Sequence, residues 1–258
     1  MLAVGFVTIL LPGLVLGFAL PLLAWGVMRI LPERFHPTGD DPVGTMVGGI
    51  ILVFAFVLGL TVSEETSTLA AAKAAAATEA NSVGELYWYA HALSEPEHSR
   101  LQVLLRTYAT VVVAQEWPLL GQHKSSEQAS AAVRAIREDI LVFQPATPIE
   151  KAVYSNELTQ VSNLFTARRA RLDAATAGGV PLILIQGLMV LVGLILLAIP
   201  YSGLLKGLRR LLLYGVFGAF LIAALFLILD LNNPFAGTVA VHPTSFNILF
   251  NGTFVHVS

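Results

Sequence analysis

Four long stretches of this chain carry no charge, and they limit what it can fold into more than any other feature. Residues 1–28 precede the first charge, Arg29. Residues 42–63 lie between Asp41 and Glu64, 174–205 between Asp173 and Lys206, and 211–229 between Arg210 and Asp230. Each run is rich in Leu, Val, Ile and Phe. Crossing roughly 30 Å of hydrocarbon takes about 20 helical residues. The runs therefore predict four transmembrane helices, at about residues 3–28, 43–63, 180–200 and 211–229. Hydrophobic residues make up 55% of the chain and charged residues 12%, against about 25% charged in a soluble domain. That composition excludes a disordered chain and disfavours a soluble enzyme. The first run is a poor signal peptide: it has no basic residue at its start, and its apolar stretch exceeds the roughly 7–15 residues of a signal core. Pro12 and Pro21 are expected to kink it, since each removes a backbone donor. Gly13 and Gly17 form a GxxxG, as do Gly44 and Gly48. Small residues at that spacing let helices approach closely, and packing inside one chain is preferred here over an oligomer contact.

Residues 64–173 form the one large polar segment and read as helical throughout. From Glu64 to His91 there is no proline and a single glycine, Gly84, while Ala70–Ala72 and Ala74–Ala77 are strong helix formers. The second span should therefore continue out of the membrane as one long helix. Ser94 and Glu97 are spaced as a capping box for a second helix, expected to end before Trp117-Pro118. Ser125 and Gln128 suggest a third start. Thr147-Pro148-Ile149-Glu150 is the clearest start, with a Thr cap, Pro at the first helical position and Glu three after the cap. In that last helix Tyr154, Leu158, Val161, Phe165 and Leu172 predict a narrow packing seam. After the fourth span, Asp230, Asn232-Asn233-Pro234 and Gly237 are turn formers. Thr238–Val241 could be a short extended piece, and Phe246 and Phe250 should dock the tail on the insert. The fold class is thus all-α: a transmembrane hairpin (1–63), a helical extramembrane insert (64–173), a second hairpin (174–231) and a C-terminal tail (232–258).

Four spans put the N-terminus, the insert and the tail on one side of the bilayer. The short loops 29–41 and 201–210 on the other side hold Arg29, Arg34, Lys206, Arg209 and Arg210; the insert side holds Lys73, Arg168, Arg169 and Arg171 near the membrane. Five against four leans weakly towards short loops inside the cell.

No enzyme signature is present: no GxxxxGK[ST], HExxH, GxSxG or GxGxxG. The six histidines, His36, His91, His98, His123, His242 and His256, lack metal-ligand spacing, and cysteine is absent. Neither a cofactor, a metal nor enzymatic activity is expected. The net charge of −2 offers no basic surface for nucleic acid. The informative charges sit at the membrane boundary: Glu64, Glu65, Arg168, Arg169, Arg171, Asp173 and Asp230. They suit either a salt-bridge network that anchors the helices or a charged vestibule at a pore mouth. In the second span Thr45, Gly49, Leu52, Phe56, Gly59 and Ser63 recur at spacings of three and four. That stripe suits ordinary helix packing or a pore face, polar or small at its ends and apolar at its waist. Of the two acids that follow it, helix geometry favours Glu64 over Glu65 on the same face. No charge lies within any span, which argues against a proton-coupled pump.

Two spans, a helical insert of about 110 residues and two more spans resemble the bestrophin-like domain family of bacterial membrane proteins. The residues that carry the resemblance run over nearly the whole chain. They are Glu79-Ala80 and Leu86-Tyr87 in the Ala-rich helix, Tyr108 to Glu116-Trp117-Pro118, and Ala167-Arg168-Arg169-Ala170-Arg171-Leu172 before the third span. The Asn233-Pro234-Phe235-Ala236-Gly237 turn, with Pro243 and Phe246, completes the set. Two positions depart from the pattern: Asn232, where members often carry Asp, and Ser63, where they carry Trp. The resemblance implies a homo-oligomeric ion channel in a bacterial plasma membrane, with the second span lining the pore and both termini cytoplasmic. That sidedness opposes the charge count, and the sequence leaves it open. The implied partners are the bilayer, further copies of the chain and ions. The rival reading is a non-conducting membrane protein whose insert binds a partner, around Tyr87, Trp88 and Tyr89, or senses envelope state.

Overall fold

A computed structural model describes residues 15–19, 22–23, 26–27, 30, 32, 43–176, 179–198 and 208–255. Most of the expected first span, with Pro12, Gly13 and Pro21, and nearly all of the two short loops lie outside the described residues. All regular elements among the described residues are helical. Besides helical residues within 15–30, a 3-10 turn at Ala90–Ala92 and a π turn at Val112–Glu116, they include α1 (Val43–Tyr89), α2 (Glu97–Val111), α3 (Trp117–Leu120), α4 (Glu127–Val142), α5 (Pro148–Thr176), α6 (Leu182–Ala198), α7 (Leu208–Leu231) and α8 (Thr244–Asn251). The chain divides into two compact units, one of residues 1–66 and 179–232, the other of 67–178 and 233–258.

The expected continuous helix exists. α1 runs 47 residues without a break, about 70 Å at 1.5 Å per residue. Thr45–Ala92 and Leu212–Leu231 contain windows long and apolar enough to cross a membrane, and Leu182–Ala198 is apolar but shorter. In the first unit Val47 and Phe54 of α1 pack with Leu188, Val192, Ile195 and Leu196 of α6 and Leu221, Ile222 and Ile228 of α7. Large apolar side chains also cover its outside, among them Val53, Ile183, Val190, Val216 and Phe220. Gly17 lies so close to α7 that an added Cβ would sit 2.2 Å from the Ala219 amide nitrogen. Gly48, by contrast, faces open space in the chain.

The second unit is built from the rest of α1, from α2 to α5, and from α8. Ala72, Ala76, Ala80, Val83 and Leu86 recur every three or four residues and form the buried face of α1. They join Leu101, Leu105, Tyr108, Leu120, Val133, Ile136 and Leu164 in one core, to which the tail adds Phe235, Phe246, Leu249 and Phe254. The capping box of α5 is as expected: the Glu150 amide donates to Thr147 Oγ1 at 3.1 Å, and the Thr147 amide to Glu150 Oε2 at 2.9 Å.

Five local expectations change. The cap of α4 is Ser126, one residue later than expected, accepting from the Ala129 amide. Ser94 does not cap α2; its hydroxyl donates to Glu150 Oε1 across the unit at 3.2 Å, and Pro96 precedes the helix. The chain also stays helical through Trp117-Pro118. A π turn at Val112–Glu116 absorbs one extra residue, so the Trp117 amide bonds to the Val112 carbonyl and Pro118 falls at the start of α3, where its missing donor is tolerated. The buried residues of α5 are Glu150, Glu157, Val161, Leu164, Ala167, Arg168, Arg171 and Ala175. Of the expected seam only Val161 is fully buried, because the face is completed by charges that apolar spacing does not show. Finally, Thr238 and Val239 form a turn instead of an extended piece. The Val241 amide closes it on the Pro234 carbonyl at 2.7 Å, and Gly237 takes a φ of 91°.

Candidate functional site

The strongest concentration of charge is inside the second unit. Glu79 comes from α1, Tyr108 from α2, Glu116 from the π turn, and Arg168 and Arg171 from one face of α5, three residues apart. Arg171, Glu79 and Glu116 are completely buried. Arg171 donates from Nε to Glu79 Oε2 at 2.6 Å and from Nη2 to Glu79 Oε1 at 2.9 Å. The same Nη2 reaches Glu116 Oε2 at 2.7 Å. Arg168 Nη2 donates to Glu116 Oε1 and, at 3.2 Å, to Ser130 Oγ. The Ser126 amide adds a bond to Glu116 Oε1, and the Tyr108 hydroxyl donates to Glu79 Oε1. The Arg171 guanidinium lies 5.1 Å over the Trp117 ring.

Charge balances here, and the carboxylates are satisfied, although Arg168 Nε and Arg171 Nη1 are buried without a hydrogen-bond partner. Two carboxylates face two guanidiniums, and each of the four carboxylate oxygens accepts at least one bond. Burial opposes charge on Arg171, but the Glu79 carboxylate outweighs it and raises the pKa, so the guanidinium stays protonated. Burial, aided by the Glu79 charge, holds the Tyr108 hydroxyl well above its usual pKa and keeps it a donor. The arrangement is a clamp that fixes α1, α2, the π turn and α5 against one another.

Arg168 and Arg171 therefore do not stand at a surface of the chain, as a vestibule would require. The carboxylates of Glu79 and Glu116 draw them into the core of the insert. Arg169 and Asp173 are exposed and Asp230 is half-buried. Glu64 is exposed, whereas Glu65 is buried and accepts from the Val180 amide at 2.6 Å. Thr45, Gly49, Leu52, Phe56, Gly59 and Ser63 are all exposed in the single chain. Tyr87 is buried and Tyr89 half-buried, so of the aromatic patch suggested for a partner only Trp88 is exposed, at 54%. Glu79 and Glu116 were not among the candidate charges. Their signal in the sequence is a lone acid in an Ala-rich helix and a lone acid before Trp-Pro.

The tail turn is positioned by the same elements. Asn233 Oδ1 accepts from the Phe235 amide, and its Nδ2 donates to the Gly121 carbonyl. Phe235 is buried with its ring 5.8 Å from that of Trp117, and Trp117 Nε1 donates to the Val241 carbonyl at 3.0 Å. The Glu-Trp-Pro and Pro-Phe-x-Gly motifs thus meet in one place.

Apolar helices that present apolar side chains outward, joined to a polar helical unit with a buried ion-pair clamp, define a helical membrane protein. The sequence profile of the Bestrophin-like domain matches residues 14–246, and the chain belongs to that family. No curated protein and no solved structure matches it.

Proposed function

We propose that the chain is a subunit of a homo-oligomeric ion channel with four membrane spans, the α1 stripe lining the pore and the insert outside the bilayer. The membrane proposed for it is a bacterial plasma membrane, a reading that the family match supports only as far as a membrane. The observation that carries this reading is the two-sidedness of α1. Val47, Phe54 and Thr61, seven residues apart, are buried against the chain's own helices. The stripe from Thr45 to Ser63 is left open by its own chain, with Leu52 73% and Phe56 66% exposed. Eighteen residues of helix measure about 27 Å, close to the hydrocarbon thickness. A surface of that length, polar or small at its ends and apolar at Leu52 and Phe56, suits a symmetric pore whose waist gates by dewetting.

Glu64 follows that stripe and is exposed, so a symmetric assembly repeats it as a carboxylate ring that favours cations. Glu65 is held by the Val180 amide. Arg168 and Arg171 are already neutralised by Glu116 and Glu79 and do not offset the ring. Reconstitution in planar bilayers tests the reading: the expected current prefers cations and weakens more in Glu64→Gln than in Glu65→Gln. An anion current indifferent to both substitutions overturns the ring. No current from a verified oligomer favours the partner-binding alternative.

A further inference from the structure

The insert holds a second charged feature unrelated to the clamp. A cavity of about 360 Å³ opens between α2, α4 and α5, walled by Leu93, Leu101, Ile140 and Phe143. Four carboxylates line it, Glu97, Asp139, Glu150 and Glu157, against one guanidinium, Arg100. Four of the five have their own partners or face water, Glu97 being half-exposed. Glu150 accepts from the Ala146 and Thr147 amides and the Ser94 hydroxyl. Arg100 pairs with Asp139 at 2.6 Å but is 71% exposed.

Glu157 is different. It is 1% exposed, and neither of its carboxylate oxygens has a hydrogen-bond partner in the chain. A buried carboxylate in that state is strongly unfavourable unless something neutralises it. No side chain does so, since Arg100 is taken by Asp139, which itself adds negative charge beside Glu157.

We propose that this pocket binds a small organic cation, an alkylammonium or diamine, with its ammonium on Glu157 and Asp139 and its carbon chain on the apolar wall. An ammonium carries three donors, enough for both oxygens of Glu157 and one of Asp139. A bare metal ion suits the pocket poorly: among the described residues no group of three or more Asp, Glu or His side chains is disposed to hold one, and hard cations need many oxygens. The site is independent of the conductance reading.

Isothermal titration of the full chain in detergent with 1,4-diaminobutane tests it. Saturable binding is expected, weaker by about tenfold or more in Glu157→Gln and in Asp139→Asn, as loss of a charge-assisted bond implies. Glu157→Gln removes a buried charge, so the variant should keep its fold, which circular dichroism checks. Binding should also release protons near neutral pH, read from titrations in buffers of different ionisation enthalpy, because the bound cation favours the ionised carboxylate. The charged groups facing Glu157 across the pocket are Glu97 and Arg100 on α2, Asp139 on α4 and Glu150 on α5. Absence of saturable binding, equal affinity in the well-folded Glu157→Gln variant, or displacement of the diamine by stoichiometric calcium overturns the proposal. The measurement needs no current, so its failure is distinct from failure of the channel reading.

Discussion

Arg171 reaches two carboxylates with one guanidinium, and all three side chains are fully buried. Removing it leaves Glu79 and Glu116 buried, with Tyr108, Arg168 and the Ser126 amide to compensate. Arg171→Met should destabilise the insert by about 3–5 kcal/mol, as breaking a buried pair from one side does, read as a fall in the thermal midpoint of the purified protein. Adding Glu79→Gln to that variant should recover part of the loss, because the orphaned charge is gone. Glu157 behaves in the opposite way. Burial, with the Asp139 charge beside it, pushes its carboxyl up to about 7. Burial also raises Asp139, against the opposing pull of Arg100. A carboxyl with a raised folded-state pKa holds its proton more tightly folded than unfolded. Its contribution is fully present below the usual carboxylate pKa and is lost as pH rises towards 7. Glu157→Gln should therefore stabilise the unliganded protein at pH 8, by an order of 2 kcal/mol, and change little at pH 4.5. Thermal melts of both proteins at the two pH values check the sign.

Among the elements, two glycines hold positions that a side chain cannot take. The Gly237 φ of 91° lies in the left-handed region that β-branched residues avoid. Gly237→Val should open the turn that carries Phe235 onto Trp117 and speed proteolysis of the tail, measured by limited digestion. Gly17 is constrained by contact instead: a Cβ there collides with the α7 backbone at Ala219. Gly17→Val should lower the yield of folded protein, while Gly48→Val, in open space within the chain, should not unless copies pack there. The π turn explains why the helix runs past Trp117-Pro118 instead of ending before it. Trp-Pro ordinarily stops a helix because the carbonyl four residues before the proline, here that of Ala114, loses its donor. Slipping the hydrogen bonds by one residue at Val112–Glu116 accommodates Pro118 and turns Glu116 into the clamp.

For the whole molecule, the distribution of apolar surface separates the two units. The unit of residues 67–178 and 233–258 gathers most of its buried apolar residues into one core, with scattered exceptions such as Val142 and Ile248 left exposed. The unit of residues 1–66 and 179–232 leaves many exposed, and only 17% and 33% of its two most apolar windows is buried. The full chain should stay with membranes through an alkaline wash and need detergent for extraction. Light scattering of the extracted protein should then give a mass of several protomers; a monomer in mild detergent would count against the channel.

The sequence by itself determined the parts governed by local rules. Long uncharged runs set the apolar helices, alanine-rich composition set the continuity of α1, and Thr147 with Glu150 set the start of α5. The Pro-Phe-x-Gly string set a turn with a glycine at positive φ. These depend on composition or on residues a few positions apart, and such forces act the same way in any fold. Only the tertiary structure decided the fate of the charges. Arg168, Arg169 and Arg171 look alike in sequence, yet two are buried and one is exposed, because Glu79 and Glu116 meet them from positions 92 and 52 residues away. Glu157 sits in a helix whose exposed face is polar, and nothing near it in sequence distinguishes it from a solvated acid. Its burial follows from where α2 and α4 pack. Whether a charge is solvated, paired or stranded depends on neighbours brought together in space, and apolar periodicity along one helix does not record them.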